Sequence, residues 1–132
     1  MSTESSSENS IPTVIEKFID AYNAMDVSAM MTCLHEDATF ENISNYHSSM
    51  QWQGAEAIKT LIETSAAAFA SRKQSVIQAV CNGNDCALRV EFAGVPLVDL
   101  PNGMKAGEAT LLRGASFFTL KDGKIYHLTD IS

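Results

Sequence analysis

The feature that most constrains this chain is the stretch Arg113 to Ser132, RGASFFTLKDGKIYHLTDIS. Asp122-Gly123 stands between two apolar runs, Phe117-Phe118 with Leu120 and Ile125-Tyr126 with Leu128. Asp-Gly flanked by alternating hydrophobic residues is a strong short-range hairpin signal, because a type I′ turn needs positive φ at both central positions. With the turn at Asp122-Gly123, a regular ladder pairs Leu120 with Ile125, Phe117 with Leu128 and Ala115 with Asp130. Alternation of side chains along strands then puts Arg113, Ala115, Phe117, Tyr126, Leu128 and Asp130 on one face. A carboxylate near the end of an apolar strand face is costly to bury unless it is paired or used. Asp130 is therefore the first candidate for chemistry, as a general base, with Arg113 across the hairpin as the competing ion-pair partner.

At 132 residues the chain is the size of one domain with its own core. Its net charge of −7 argues against a nucleic-acid partner, which asks for a basic stripe. No apolar run reaches the length of a membrane span, and the first ten residues, MSTESSSENS, lack the apolar core of a secretory signal. This polar, acidic tail is expected to be disordered, and residues 11–132 to form a single domain. Three cysteines (Cys33, Cys81, Cys86) are too few for a disulfide scaffold and suit a cytoplasmic location. Cys81 and Cys86 oppose each other if residues 82–85 form a four-residue loop. A two-residue Asn82-Gly83 turn instead pairs Cys81 with Asn84, and two ordinary half-buried thiols are the expectation.

From the N-terminus, Ile15, Phe18, Ile19 and Tyr22 recur at helical spacing after Pro12. Asp26 reads as the N-cap of a short second helix, Val27 to Leu34, with His35 near its C-terminal end. Ala38 to Asn42 reads as a brief strand. Ile43 to Gln53, with Tyr46, His47 and Trp52, has no period and reads as a loop over a mouth. Gly54 opens a third helix with a stripe of Ile58, Leu61, Ile62, Ser65 and Phe69. Gln74 to Val80 and Cys86 to Val95 pair as strands, followed by an irregular arm to Met104 with Pro96, Pro101 and Asn102-Gly103. His127 has the opposite parity to Asp130 and is expected on the outer face. No spacing of His, Cys, Asp or Glu reads as a metal site.

Helices followed by strands give an α+β class. Three N-terminal helices packed on a strongly curved, mainly antiparallel sheet would enclose an apolar pocket, the default ligand site. On the Cys86 to Val95 strand, Arg89 and Glu91 share a face with Ala87 and Ala93, opposite Leu88, Val90 and Phe92. Either the charged face meets solvent, or it lines the pocket while Val90 and Phe92 meet a partner.

The segments FIDAYNAMDVSAMMTCLHEDATFEN, WQGAEAIKTLI and FFTLKDGKIYHLTDI resemble the ketosteroid-isomerase-like superfamily, which includes nuclear transport factor two and the SnoaL-like polyketide cyclases. The resemblance implies a cone-shaped domain with a deep pocket, a homodimer formed through the outer sheet face, and no cofactor. The isomerase's three catalytic positions fall on Asn42, Phe18 and Ala115, none of which carries the required group. Limonene epoxide hydrolase is a closer match at polar positions. Its Arg-x-Asp falls on Arg89-Val90-Glu91, its last-strand Asp on Asp130 and its Tyr-x-Asn on Phe40-Glu41-Asn42.

The combined reading is a protein that binds a small, apolar molecule. As an acid/base enzyme it would use Asp130 as base, Asn42 as positioner and Arg89-Glu91 as a polarising pair. Phe18, Tyr22, Phe40, Trp52, Arg113, Ala115, Phe117 and Leu128 would line the pocket. The competing class is a non-catalytic binding or association domain. Asp130, Asn42, Arg89 and Glu91 converging on one cavity would favour the enzyme.

Overall fold

A computed structural model describes residues 10–44 and 48–132. The expected disorder of the N-terminal tail, apart from Ser10, and the part of the expected loop that carries Tyr46 and His47 lie outside the described residues. Three helices, α1 (Thr13–Asn23), α2 (Val27–Thr32) and α3 (Ala55–Ala67), lie with six strands in one α+β unit. The strands are β1 (Leu34–Ser44), β2 (Ser48–Gln53), β3 (Phe69–Asn82), β4 (Asp85–Pro96), β5 (Thr110–Lys121) and β6 (Lys124–Ile131). They form one sheet in the order β2-β1-β6-β5-β4-β3, antiparallel throughout except for the parallel β1–β6 pair. Among the described residues no helix is long and apolar enough to cross a membrane.

The helices form where periodicity and capping place them. Ile15, Phe18, Ile19 and Ala21 are the buried stripe of α1. The Asp26 carboxylate accepts from the Ala29 amide at 3.1 Å and caps α2. Ile58 and Ile62 bury one side of α3. These stripes meet Leu88, Val90, Phe118, Ile125 and Leu128 from the sheet in a single core.

The terminal hairpin turns at Asp122 (φ 55°) and Gly123 (φ 75°), as a type I′ turn requires. Its ladder is not regular. Leu120 pairs with Ile125, but Thr119 pairs with His127, so Tyr126 is an extra residue in β6. This β-bulge shifts every pair beyond it by one: Phe118 faces Leu128, Phe117 faces Thr129 and Ser116 faces Asp130. Phe118 is therefore buried and Phe117 is 47% exposed, which corrects the expected face assignment. The bulge lets Ile125 and Leu128, three residues apart, both enter the core. Tyr126 packs instead against the ring of His35, whose Nδ1 accepts from the Asp37 amide. His35 thus belongs to β1 and does not cap α2.

Other strands run longer than their sequence signals. β1 extends six residues beyond the expected segment in total, and residues 48–53 pair back onto it as β2 rather than forming a loop. β3 begins at Phe69, immediately after α3. Gly83 and Asn84 form a two-residue turn between paired Asn82 and Asp85, so Cys81 and Cys86 oppose each other and are bonded. That outcome corrects the expectation of two free thiols: the turn falls at Gly83-Asn84, one residue later than Asn82-Gly83, and brings Cys81 and Cys86 into register.

The bulge makes a sharp prediction. Phe118→Ala should cost about 3–5 kcal/mol of stability and Phe117→Ala less than about 1 kcal/mol in chemical denaturation. The reverse order would restore the regular ladder.

Candidate active site

Between the helices and the inner sheet face lies a cavity of about 630 Å³, within the ordinary range for small-molecule sites. Its wall is mostly apolar: Phe18, Phe40, Trp52, Ile62, Phe92 and Leu128 contribute to it. Phe18 meets Phe118 edge-on, and Phe40 packs on Trp52 with ring centroids 5.4 Å apart. These contacts fix aromatic side chains that would otherwise be free to close the space. Leu100, Pro101, Asn102 and Met104, from the segment between β4 and β5, border the cavity as well. Met104 is buried, and its carbonyl accepts from the Leu100 amide at 2.8 Å, which seats this segment as a tight strap.

Register explains which polar groups reach the cavity. One row across the sheet runs Asn42, Asp130, Ser116 and Leu88, because Asn42 pairs with Asp130, Asp130 with Ser116 and Ser116 with Leu88. Paired residues share a face, so Asn42, Asp130 and Ser116 enter together, and all three border the cavity. At Gly114 a Cβ would come within 2.5 Å of the Ile131 carbonyl oxygen. Only glycine lets the end of β6 approach β5 this closely.

The Ser116 hydroxyl donates to Asp130 Oδ1 at 2.7 Å. It is the only side-chain partner of that carboxylate among the described residues. Asp130 is deep in the protein yet half-buried by surface, because the hollow it faces admits solvent-sized molecules. Burial pushes its pKa up to about 6, and the Ser116 hydrogen bond opposes the rise without cancelling it. The result is a carboxylate near the range suited to proton transfer at neutral pH. Asn42 lies beside it, with its amide 3.4 Å from the Ser44 hydroxyl.

Tyr22 borders the same cavity from α1. Burial, with the Asp130 charge adding to it and Arg72 opposing, raises its pKa to about 12. Its hydroxyl is therefore a hydrogen-bond donor at any ordinary pH.

Arg72 was given no role by the sequence reasoning. It lines the cavity from β3 and is 6% exposed. Its guanidinium lies 3.7 Å above the Tyr22 ring. Nε donates to the Tyr22 carbonyl at 3.3 Å and Nη1 to the Ser65 hydroxyl at 3.2 Å. Extending the inner-face alternation of Val76 and Gln74 back by one more pair of residues would have found it.

Several expected site residues lie elsewhere. Arg89 is exposed, and Glu91 pairs with Arg113 at 3.4 Å on the outer face, while Val90 and Phe92 border the cavity. Alternation simply buries the apolar set. The polarising pair is therefore not at the site, and the Arg-x-acid match to epoxide hydrolase loses its geometry. Arg113 and Ala115 do border the cavity, although strand parity turns their side chains to the outer face, and Phe117 does not border it. Phe18, Tyr22, Phe40, Trp52 and Leu128 do line it. His127 is exposed and contacts the Thr39 hydroxyl through Nδ1. Among the described residues no cluster of His, Cys, Asp or Glu could hold a metal ion.

An α+β sheet roofed by three helices over one polar row defines a class of small-molecule pocket proteins. The chain belongs to the SnoaL-like domain family, whose profile matches residues 15–128. Its fold is similar to that of an LEH-like epoxide hydrolase from M. tuberculosis (TM-score 0.72, 16% identity, 91% of this chain and 80% of that one). It is similar also to a protein of ketosteroid isomerase-like fold from Catenulispora acidiphila, solved with trimethylamine (0.75, 14%, 92% and 85%). A third is a candidate polyketide cyclase from Xanthomonas campestris pv. campestris (0.69, 22%, 91% and 87%). At these identities the likeness concerns the fold. Among curated proteins none matches this chain.

The raised Asp130 pKa has a consequence for stability. The folded protein binds this proton more tightly than the unfolded chain does. Its contribution is therefore present below about pH 4 and lost as pH rises towards about 6. Asp130→Asn mimics the protonated acid. It should match wild type near pH 4 and exceed it by about 3 kcal/mol at pH 7.5 in urea denaturation. Equal stability at both pH values would place the carboxylate in water.

Proposed function

We propose that this protein is an acid/base enzyme of isomerase, cyclase or hydrolase type acting on a small, mainly apolar substrate, with Asp130 as general base. The observation that carries this reading is the desolvated Asp130 carboxyl, held by Ser116 in the wall of a mostly apolar hollow. A base needs a pKa near working pH and reach to a bound substrate, and this position supports both.

In the simplest step, Asp130 takes a proton from a carbon next to a carbonyl. The C–H electron pair moves into the new C=C bond, and the carbonyl oxygen takes up the negative charge. Ser116 steadies the ionised base. Asn42 positions the substrate, and the Tyr22 hydroxyl is a donor available to the developing oxyanion. Activation of a water molecule by Asp130 would use the same groups. The apolar wall keeps Asp130 poorly solvated and strengthens each of these interactions.

A panel of apolar ketones and 1,3-diketones in D₂O tests the step directly. Wild type should accelerate exchange of the α-proton, read by NMR, with kcat/KM rising with pH to a plateau above about pH 7. Asp130→Asn should lose at least about 100-fold while remaining folded. Binding of the panel without any Asp130-dependent exchange would leave a carrier rather than a catalyst.

A further inference from the structure

Arg72 is a buried cation without a counter-ion. Its hydrogen-bond partners, the Tyr22 carbonyl and the Ser65 hydroxyl, are neutral, as is the Tyr22 ring beneath it. No described carboxylate lies within ion-pair distance of it. Nη2 is buried and has no hydrogen-bond partner among the described residues. An arginine cannot relieve this by losing its proton, and a guanidinium offers five donors in a fixed fork. Buried charges are ordinarily paired, and one terminal nitrogen of this fork makes no hydrogen bond among the described residues.

The surroundings make the missing partner specific. The chain as a whole carries a net charge of −7, so its general field does not favour anions. The cavity wall contains two arginines, and Arg113 is engaged outside by Glu91. Arg72 is thus the one cationic side chain left for the cavity among the described residues. It also stands far from the base. Arg72 pairs with Gly94 and Gly94 with Thr110, whereas Asp130 pairs with Ser116. Six residues of β5 separate those rows. Tyr22 lies between the two poles, since it stacks on Arg72 and feels the Asp130 charge.

We propose that the cavity takes an elongated apolar molecule bearing an acidic oxygen group, a carboxylate or an ionised enol, and that the Arg72 guanidinium receives that group. The apolar body then lies along Phe92, Ile62 and Phe18 towards Asp130. Arg72 is a specificity-determining residue here, not a proton-transfer group. This inference rests on reading the hollow as a ligand site.

The test uses N-phenyl-1-naphthylamine, an uncharged fluorescent probe of apolar pockets, displaced at pH 7 by decanoate or by decanamide. These competitors share a chain and differ in head-group charge. Wild type should release the probe at about tenfold or more lower concentration of decanoate than of decanamide, as a charge-assisted contact implies. Arg72→Met should remove that preference, so that decanoate and decanamide release the probe at concentrations within about twofold of each other. Equal potency in wild type, or a preference that survives in Arg72→Met, would overturn the assignment. Where circular dichroism shows that Arg72→Met does not fold, Arg72→Lys decides. A several-fold smaller preference supports the fork, and an unchanged one overturns it. The preference does not depend on turnover, so it persists in Asp130→Asn whatever becomes of proton exchange there. Failure of the probe to bind at all would remove the hollow as a ligand site, and both readings with it.

Discussion

One extra residue in β6 governs the arrangement of this molecule. The bulge at Tyr126 turns Ile125 and Leu128 to the same side, although a regular strand would turn them apart. Phe118 follows them into the core, and Ser116 is carried opposite Asp130. Without that shift, Ser116 would face outward and an alanine would stand across from the acid. The carboxylate would then have no hydroxyl to hold it. The same residue freed from the ladder, Tyr126, packs against His35 and ties the hairpin to β1. Core packing and the polar row are thus two results of a single irregularity.

The interior is organised by scarcity of polar groups. Asp130 is desolvated and has one hydroxyl partner. Arg72 is desolvated and has only neutral partners. These two charges do not neutralise each other, since each stands on its own part of the sheet. A protein core ordinarily avoids such an arrangement, because unpaired buried charge destabilises the fold. Its presence in a cavity large enough for a ligand ties the cost to function rather than to structure. Local order around the cavity fits that view. The strap bearing Met104 is held by its own backbone hydrogen bonds, and paired aromatic rings keep the wall in place.

Much of the fold is legible in the sequence. Helical periodicity marks α1 and α3, Asp26 marks the start of α2, and Asp122-Gly123 marks the terminal turn. Asp130 and Asn42 were also recognisable, because each is polar on an apolar strand face. Strand extent was harder to read. Long-range pairing lengthens β1 and β3 into segments whose local composition is polar, and it makes β2 from residues with no alternation. Arg72 sits in one such extension, which is why its inner parity went unnoticed. The bulge has no local turn signal and shows only as the incompatible spacing of Ile125 and Leu128. Arg89 and Glu91 show the opposite lesson. Their strand parity put them outside, and the resemblance to epoxide hydrolase pointed the wrong way.

Desolvation of Asp130 underlies both the catalytic reading and the electrostatics of the pocket. A ¹³C NMR titration of its side-chain carboxyl carbon in the unliganded protein measures that property at the atom concerned. The carboxyl should titrate with a midpoint of about 6. A midpoint at the ordinary aspartate value, about 3.9, would mean that water reaches it freely and that the hollow is not the site described.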